Sequence, residues 1–287
     1  MKNEYLQLNN GVKIPKLGLG TWLIDDKLVG QAVRDAVRIG YRLIDTAQAY
    51  NNERGVGEGV NSCGIPRENI FVTSKVAAEN KSYDSALKSI NETLDRMKLD
   101  YIDMMIIHCP QPWKEVNRTN NRYETENVEV WKALEDSYND GKIKAIGLSN
   151  FLIDDINNII KNCKIKPMVN QILAHISNTP LELIEFCQKN NIVVEAYSPI
   201  AHGEILKNKD IDSIAKKYNV SIPQLCIRYC LQLNLVALPK TANSEHMKEN
   251  SSIDFVISDD DMEKLKHFDH IKDYGESSKF PIYGGKL

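Results

Sequence analysis

No apolar run in this chain approaches the roughly 18 residues that a membrane-spanning helix needs. The opening Met1-Lys2-Asn3-Glu4-Tyr5 carries charge with no apolar stretch behind it. Neither a transmembrane span nor a secretory signal is therefore expected. Excess positive charge is also lacking: 36 Lys and Arg stand against 39 Asp and Glu, a formal charge of −3. Binding along a nucleic-acid backbone calls for a clear basic surplus, so no nucleic-acid partner is expected. Cysteine is sparse, six in 287 residues. Cys226 and Cys230 share a helical spacing, but no histidine or second pair completes a zinc set, and Cys63, Cys109, Cys163 and Cys187 are scattered. They read as free thiols of a reducing compartment, which makes the protein cytoplasmic. Coiled-coil periodicity is missing too, and a monomer or weak homodimer is expected.

What is present is a repeat of pattern. Short runs rich in β-branched residues alternate with longer amphipathic stretches, the signal for βα units and a parallel sheet. Tyr5–Leu8 and Val12–Ile14 flank Asn9-Asn10-Gly11, which predicts a β-hairpin first. Eight strands follow: 17–20, 43–45, 70–74, 102–107, 143–148, 168–171, 192–196 and 236–238. Helices are predicted over about 27–39, from about 53, over 83–97 and near 128–138, with a helical stretch after every strand. Eight such units fit a closed (β/α)8 TIM barrel, with residues 1–287 as a single domain. Two stretches exceed ordinary loop lengths, one from His108 to about Glu126 and one after about Phe268 that ends Phe280-Pro281-Ile282-Tyr283. Long loops in compact domains commonly serve function, and both are expected to overhang the barrel mouth.

Catalytic groups of such barrels stand at the C-terminal ends of strands. Asp45 ends the second strand, with Tyr50 soon after it; Lys75 follows the third and His108 the fourth. Each has an ordinary explanation: a helix cap, a core aromatic, a solvated lysine, a satisfied histidine. Together, on three adjacent strand ends, they suggest proton delivery without a metal, because one His and one Asp beside Lys and Tyr make a poor ligand set. A tyrosine near pKa 10 must move by about two to three units, about 3–4 kcal/mol, to act as an acid near neutrality. An ammonium at about 4 Å supplies roughly that amount at an effective dielectric of about 20. Lys75 is the candidate ammonium and Asp45 its holder, while His108 would hydrogen-bond the reacting oxygen.

The far side of the mouth suggests a phosphate. After the eighth strand comes Lys240-Thr241-Ala242-Asn243-Ser244 and a helix reaching Asn250, a point charge and a hydroxyl beside helix-start amides. The alternative is a solvated lysine before an ordinary cap. The glycine fingerprint of dinucleotide folds is absent, since Gly55-Val56-Gly57-Glu58-Gly59 has helical context.

These residues resemble the aldo-keto reductase family over nearly the whole chain. The similarity rests on Gly18-Leu19-Gly20-Thr21-Trp22, Ile44-Asp45-Thr46-Ala47-Gln48-Ala49-Tyr50-Asn51-Asn52-Glu53, Val72-Thr73-Ser74-Lys75, Asp100-Tyr101-Ile102-Asp103 through Ile107-His108, and Gly147-Leu148-Ser149-Asn150-Phe151. The resemblance implies reduction of aldehyde or ketone carbonyls, of sugar or keto-acid type, by hydride from NADPH. It implies a tetrad of Tyr50 as general acid with Asp45, Lys75 and His108. It further implies that Ser149, Asn150 and Gln171 hold the nicotinamide carboxamide and Tyr197 stacks on the ring. Ser198 would lie by the pyrophosphate, and Lys240, Thr241 and Asn250 would reach the adenosine end, with Gly20, Thr21 and Trp22 at the cofactor's edge. Trp22, the insert after His108 and the tail would shape the substrate pocket. Some barrels of this family serve instead as cofactor-sensing partner subunits, an alternative that the complete tetrad disfavours.

Three positions depart from the family pattern. His246 stands where an arginine is usual, six residues past the lysine, so NADH would be better tolerated. The usual acid after Gln171 is missing from Ile172-Leu173-Ala174-His175. Cys109 replaces an aromatic after the histidine, which opens the pocket wall or hands that role to Trp113.

Overall fold

The computed structural model describes residues 4–283. The chain opens with the expected hairpin, β1 (Tyr5–Gln7) antiparallel to β2 (Lys13–Pro15), turned at Gly11 with φ +88°. Such a φ suits glycine, which lacks the Cβ that disfavours it. Asn9 Nδ2 donates to the carbonyl of Pro167 at 2.8 Å and Asn10 Nδ2 to that of Lys144 at 3.0 Å. Both carbonyls precede barrel strands, so the hairpin closes the barrel floor and leaves the opposite mouth for chemistry.

Eight parallel strands follow in sequence order: β3 (Gly18–Gly20), β4 (Leu43–Asp45), β5 (Phe71–Val76), β6 (Met104–Ile107), β7 (Ile146–Ser149), β8 (Val169–Leu173), β9 (Val193–Tyr197) and β10 (Val236–Leu238). Closure comes from β3 meeting β10: Gly20 N–H donates to Pro239 O at 3.0 Å and Ala237 N–H to Lys16 O at 2.8 Å. The fold is a (β/α)8 barrel. Strands covered on both faces read as continuous apolar runs. In β6 all four residues have no exposed surface, and truncating one to alanine would cost about 2–5 kcal/mol.

The outer ring is α1 (Asp26–Ile39), α2 (Glu53–Ser62), α3 (Tyr83–Met97), α4 (Glu124–Asn139), α5 (Ile153–Asn162), α6 (Leu181–Lys189), α7 (Lys209–Lys217), α8 (Ile222–Gln232), α9 (Ser244–Asn250) and α10 (Asp259–Lys266). The glycine run 55–59 is helical, as its context predicted, and its purpose is steric. A Cβ on Gly55 would lie 2.1 Å from Asp26 O, and one on Gly57 would lie 2.2 Å from Met97 O. α2 therefore packs backbone to backbone between α1 and α3.

Several boundaries differ from expectation by one to four residues, and two of these differences have a clear cause. β5 runs on to Val76, so Lys75 lies inside the strand and inside the barrel rather than after it. Its ion pair and backbone carbonyl partner let an ammonium stay where the strand would otherwise be apolar. α4 begins at Glu124, four residues before the expected 128, because its first turn is polar and carries no periodic apolar signal.

Candidate active site

Asp45, the last residue of β4, and Lys75, within neighbouring β5, face each other in the barrel. Lys75 Nζ donates to Asp45 Oδ1 at 2.6 Å and to the carbonyl of Thr46 at 2.8 Å. Lys75 has no exposed surface and Asp45 only 4%. In that setting the pair is tight because neither charge has water as an alternative.

Tyr50 is carried back over this pair by a short turn. The 3-10 helix Gln48–Tyr50 ends at Asn51 in the left-handed region, φ +56°. Gln48 Nε2 donates to Ser89 O and Thr93 Oγ1, both at 3.0 Å, while its Oε1 accepts from Ala77 N at 2.8 Å. On the other side Asn52 Nδ2 donates to the carbonyls of Thr21 and Ile24 at 2.9 and 3.0 Å. So anchored, the Tyr50 ring centroid lies 4.9 Å from Lys75 Nζ. His108, directly after β6, places its ring edge-on to Tyr50 with centroids 5.6 Å apart. The tetrad proposed from four separate stretches converges on one spot.

The electrostatics differ from expectation in one respect. Burial, with the Asp45 charge adding, pushes the Tyr50 phenol well above its ordinary range. The Lys75 ammonium is expected to draw it down, and Asp45, 2.6 Å from that ammonium, offsets part of its pull. Tyr50 therefore holds its proton. Burial and then the neighbouring Lys75 charge press His108 well below the usual imidazole range, which keeps its ring neutral near pH 7.

Tyr50 and His108 line one end of a cavity of about 740 Å³ that reaches Lys240, Thr241 and His246 at the other. Gly20, Thr21 and Trp22 of the β3 edge line it, as do Ser149 at the end of β7, Asn150 just after it and Gln171 of β8. Tyr197 at the end of β9, Ser198 just after it and Asn250 of α9 complete the trough, and Asp45 and Trp113 also line it. Lys75 sits beneath the lining.

Neighbours hold these groups. Asn150, in the left-handed region at φ +61°, donates from Nδ2 to His108 O and Ser149 Oγ at 3.0 Å. Its Oδ1 accepts from Tyr197 OH at 2.7 Å. The segment after β9 turns sharply, with Ser198, Ala201 and His202 at positive φ. Thr21 Oγ1 donates to Asp45 O at 2.9 Å.

A nicotinamide dinucleotide fits this trough chemically. Amide and hydroxyl groups cluster near the tetrad, an aromatic ring at Tyr197 lies beside them, and the Lys240 ammonium stands at the far end with His246. Gly20 keeps one wall thin, since a Cβ there would lie 3.2 Å from Leu238 O.

Two expectations need correction. Cys109 does not line the cavity: it is buried in a small cluster with Ala78 and Val116, Trp113 packed against it. Its small side chain turns into the protein, and Trp113 stands edge-on to His108 at 4.9 Å as the wall. The helix-start amides of α9 are not left for a phosphate either. Asn243 Oδ1 accepts from Glu245 N at 2.8 Å and His246 N at 3.3 Å, an ordinary cap. Anion recognition at that end falls to side chains.

Both long segments reach the mouth, as expected. Phe280 and Tyr283 of the tail pack on Trp22 at 4.8 and 6.2 Å between centroids, and Asn117 Nδ2 of the first insert donates to Pro281 O at 2.8 Å. Tyr283 OH lies 2.8 Å from Ser198 Oγ, a contact that sequence reasoning missed. Only the aromatic richness of 280–283 hinted at it. Glu53 was quoted in the sequence match but given no role. It is buried and tied to Ser74 Oγ at 2.5 Å, Thr93 and Arg96.

The aldo/keto reductase family model matches residues 16–270. A glyoxal reductase of Bacillus subtilis (strain 168) is 39% identical over 264 residues, covering 91% of each chain. The crystal structure of an aldo/keto reductase from Brucella melitensis superposes with a TM-score of 0.85 at 34% identity, over 92% of this chain and 97% of that one. A Bombyx mori aldo-keto reductase in complex with NADP superposes at 0.84 with 30% identity, over 98% of both chains. With its barrel, its trough and these likenesses, the chain belongs to the aldo-keto reductase family and is an NAD(P)H-dependent oxidoreductase acting on carbonyl groups.

Proposed function

We propose that this enzyme reduces small, uncharged aldehydes or ketones to alcohols, with Tyr50 as the proton donor and NADPH as the favoured cofactor. The observation that carries the reading is the buried Lys75–Asp45 pair, 2.6 Å apart beneath the Tyr50 ring at the closed end of the long trough. NADPH, once bound, supplies the hydride. The protein's part is to hold a proton ready and steady the oxygen that receives it. Tyr50, kept protonated by burial, is a loaded acid. Its proton leaves only as negative charge develops on the substrate oxygen, and Lys75 below the ring then steadies the phenolate. Asp45 keeps Lys75 oriented, and His108, neutral, donates one N–H to the same oxygen.

Ser149, Asn150 and Gln171 would hold the carboxamide and Tyr197 the ring. Ser198 would meet the pyrophosphate once Tyr283 gives up its hydroxyl contact, and Lys240, Thr241, His246 and Asn250 would meet the adenosine end. The substrate end is walled by Trp22, Trp113, Phe280 and Ile282. Among the residues that line the cavity the one lysine or arginine is Lys240, at the far end, so a keto acid would find no lysine or arginine lining the cavity near Tyr50. The likeness to a glyoxal reductase makes short dicarbonyls reasonable members of a first panel. His246 in place of arginine leaves NADH tolerated. The whole chain would work as one domain in the cytoplasm, monomeric or weakly dimeric. Small molecules would be its partners rather than nucleic acid or membrane; no helix of the described residues is long and apolar enough to cross a bilayer.

The test follows cofactor oxidation by absorbance across aldehydes and ketones, with NADPH and NADH in parallel. Turnover of uncharged carbonyls, faster with NADPH, is expected. Tight NADPH binding with no turnover on any carbonyl would overturn the catalytic reading and favour a redox-sensing barrel.

A further inference from the structure

Behind the cavity wall lies a carboxyl group that the proton chemistry does not use. Glu195 is on β9, two residues before Tyr197, and has no exposed surface. It stands opposite Gln171 in the parallel register of β8 and β9. Glu195 Oε2 accepts from Gln171 Nε2 at 2.9 Å, whereas Oε1 has no hydrogen-bond partner. Gln171 Nε2 also donates to Asp45 Oδ2 at 2.8 Å. Two acidic side chains from opposite sides thus converge on one amide nitrogen.

A primary amide nitrogen has two protons. With one committed to Asp45 and the other to Glu195, the nitrogen of Gln171 is fully engaged inside the barrel. Gln171 lines the cavity, so its carbonyl oxygen is the group left to meet a ligand there, and a carbonyl oxygen only accepts. Apolar residues fill such interior positions without desolvation cost, whereas a buried carboxyl with one unpaired oxygen is unfavourable in itself. Its burial, with the Asp45 charge adding, pushes Glu195 well up from the ordinary carboxylate range, and Lys75 only partly opposes this. A group kept at such cost calls for a role that an apolar side chain could not fill.

We propose that Glu195 is a positioning residue for cofactor recognition: it locks the Gln171 amide so that the carbonyl oxygen faces the cavity and accepts an N–H from the nicotinamide carboxamide. The proposal rests on the nicotinamide reading above and adds a residue that never touches the cofactor. With Glu195 absent, the bond to Asp45 alone holds the amide, and its turning, which places a donor against a donor, is less strongly opposed.

Three ligands separate this from a merely structural role: NADPH, its acetylpyridine analogue, in which the carboxamide is replaced by an acetyl group with no N–H, and 2′,5′-ADP, which lacks the nicotinamide altogether. In Glu195→Leu, the Kd of NADPH is expected to rise about tenfold, the upper end for the loss of one hydrogen bond between neutral amides. The analogue and 2′,5′-ADP should change less than about twofold, since neither uses that N–H. Glu195→Gln keeps an acceptor and should restore most of the affinity; it also serves if the leucine variant does not fold, with a rise of about threefold for NADPH alone. Equal weakening of all three ligands, or unchanged NADPH binding in both variants, overturns the proposal. Failure of the unaltered enzyme to bind NADPH or 2′,5′-ADP would sink the nicotinamide reading itself and this proposal with it.

Discussion

At the Tyr50 end of the cavity, Lys75 and Asp45 are buried and 2.6 Å apart; at the other end Lys240 and His246 stand exposed, with Glu249, an acid, among them. The buried groups have no water to fall back on, so each is held by its neighbours before any ligand arrives. Asp45 alone answers to Lys75 and Gln171. The exposed groups are free to move, and salt screens them over about 8 Å at physiological strength. On the proposed reading, geometry is settled in advance where bonds would change, and left adaptable where the nucleotide's tail would be gripped.

The largest effect should come from removing the buried cation. Lys75→Met strands the Asp45 charge, and about 3–5 kcal/mol of stability should be lost in urea unfolding. A loss below about 1 kcal/mol would place that pair on the exposed side of the comparison. Tyr50→Phe keeps the ring and removes the proton, so turnover should fall about 10²–10⁴-fold with NADPH binding nearly intact by fluorescence titration. Near-normal turnover would mean that another group is the acid.

A third prediction concerns acid. His175, fully buried and bonded to Tyr274 OH at 3.0 Å beneath the tail, is held down to about 4 by burial. Its folded pKa lies below the unfolded value, so only the unfolded chain takes the proton between about 6.5 and about 4. Stability should therefore fall as pH drops through that window, by up to about 3 kcal/mol. Urea unfolding at pH 7 and pH 5 should differ less in His175→Gln than in the parent; an equal difference would assign the acid lability elsewhere. The smallest effect is expected at the exposed end. His246→Arg should raise the NADPH over NADH preference about five- to tenfold in low salt and less in high salt. An unchanged ratio would show that residue 246 does not reach the ribose phosphate.

Much of this was legible beforehand. The alternation of β-branched runs with amphipathic stretches predicts the barrel because strands buried on both faces must be apolar and their helices must show one apolar stripe. The rule that catalytic groups crown barrel strands then singles out Asp45, Tyr50 and His108 from their positions alone. Lys75 reads in the sequence as a residue past a strand, whereas it lies within one. Cys109 misled because adjacency to His108 says nothing about which way a side chain turns. Tyr283 on Ser198, residues 85 apart in sequence, left no trace in any local pattern.

By itself, then, the amino-acid order determined the eightfold βα pattern, the strand ends that bear titratable groups and the family they match, because periodicity and motif are local properties of a chain. Only the folded structure decided that Asp45 pairs with the ammonium beneath Tyr50, that Asn243 takes the amides a phosphate was expected to use, and that Glu195 answers Gln171 on the neighbouring strand. The cap is a matter of local backbone geometry, whereas the other two depend on distance and burial between residues on different strands, and electrostatic strength follows from distance and dielectric rather than from residue type.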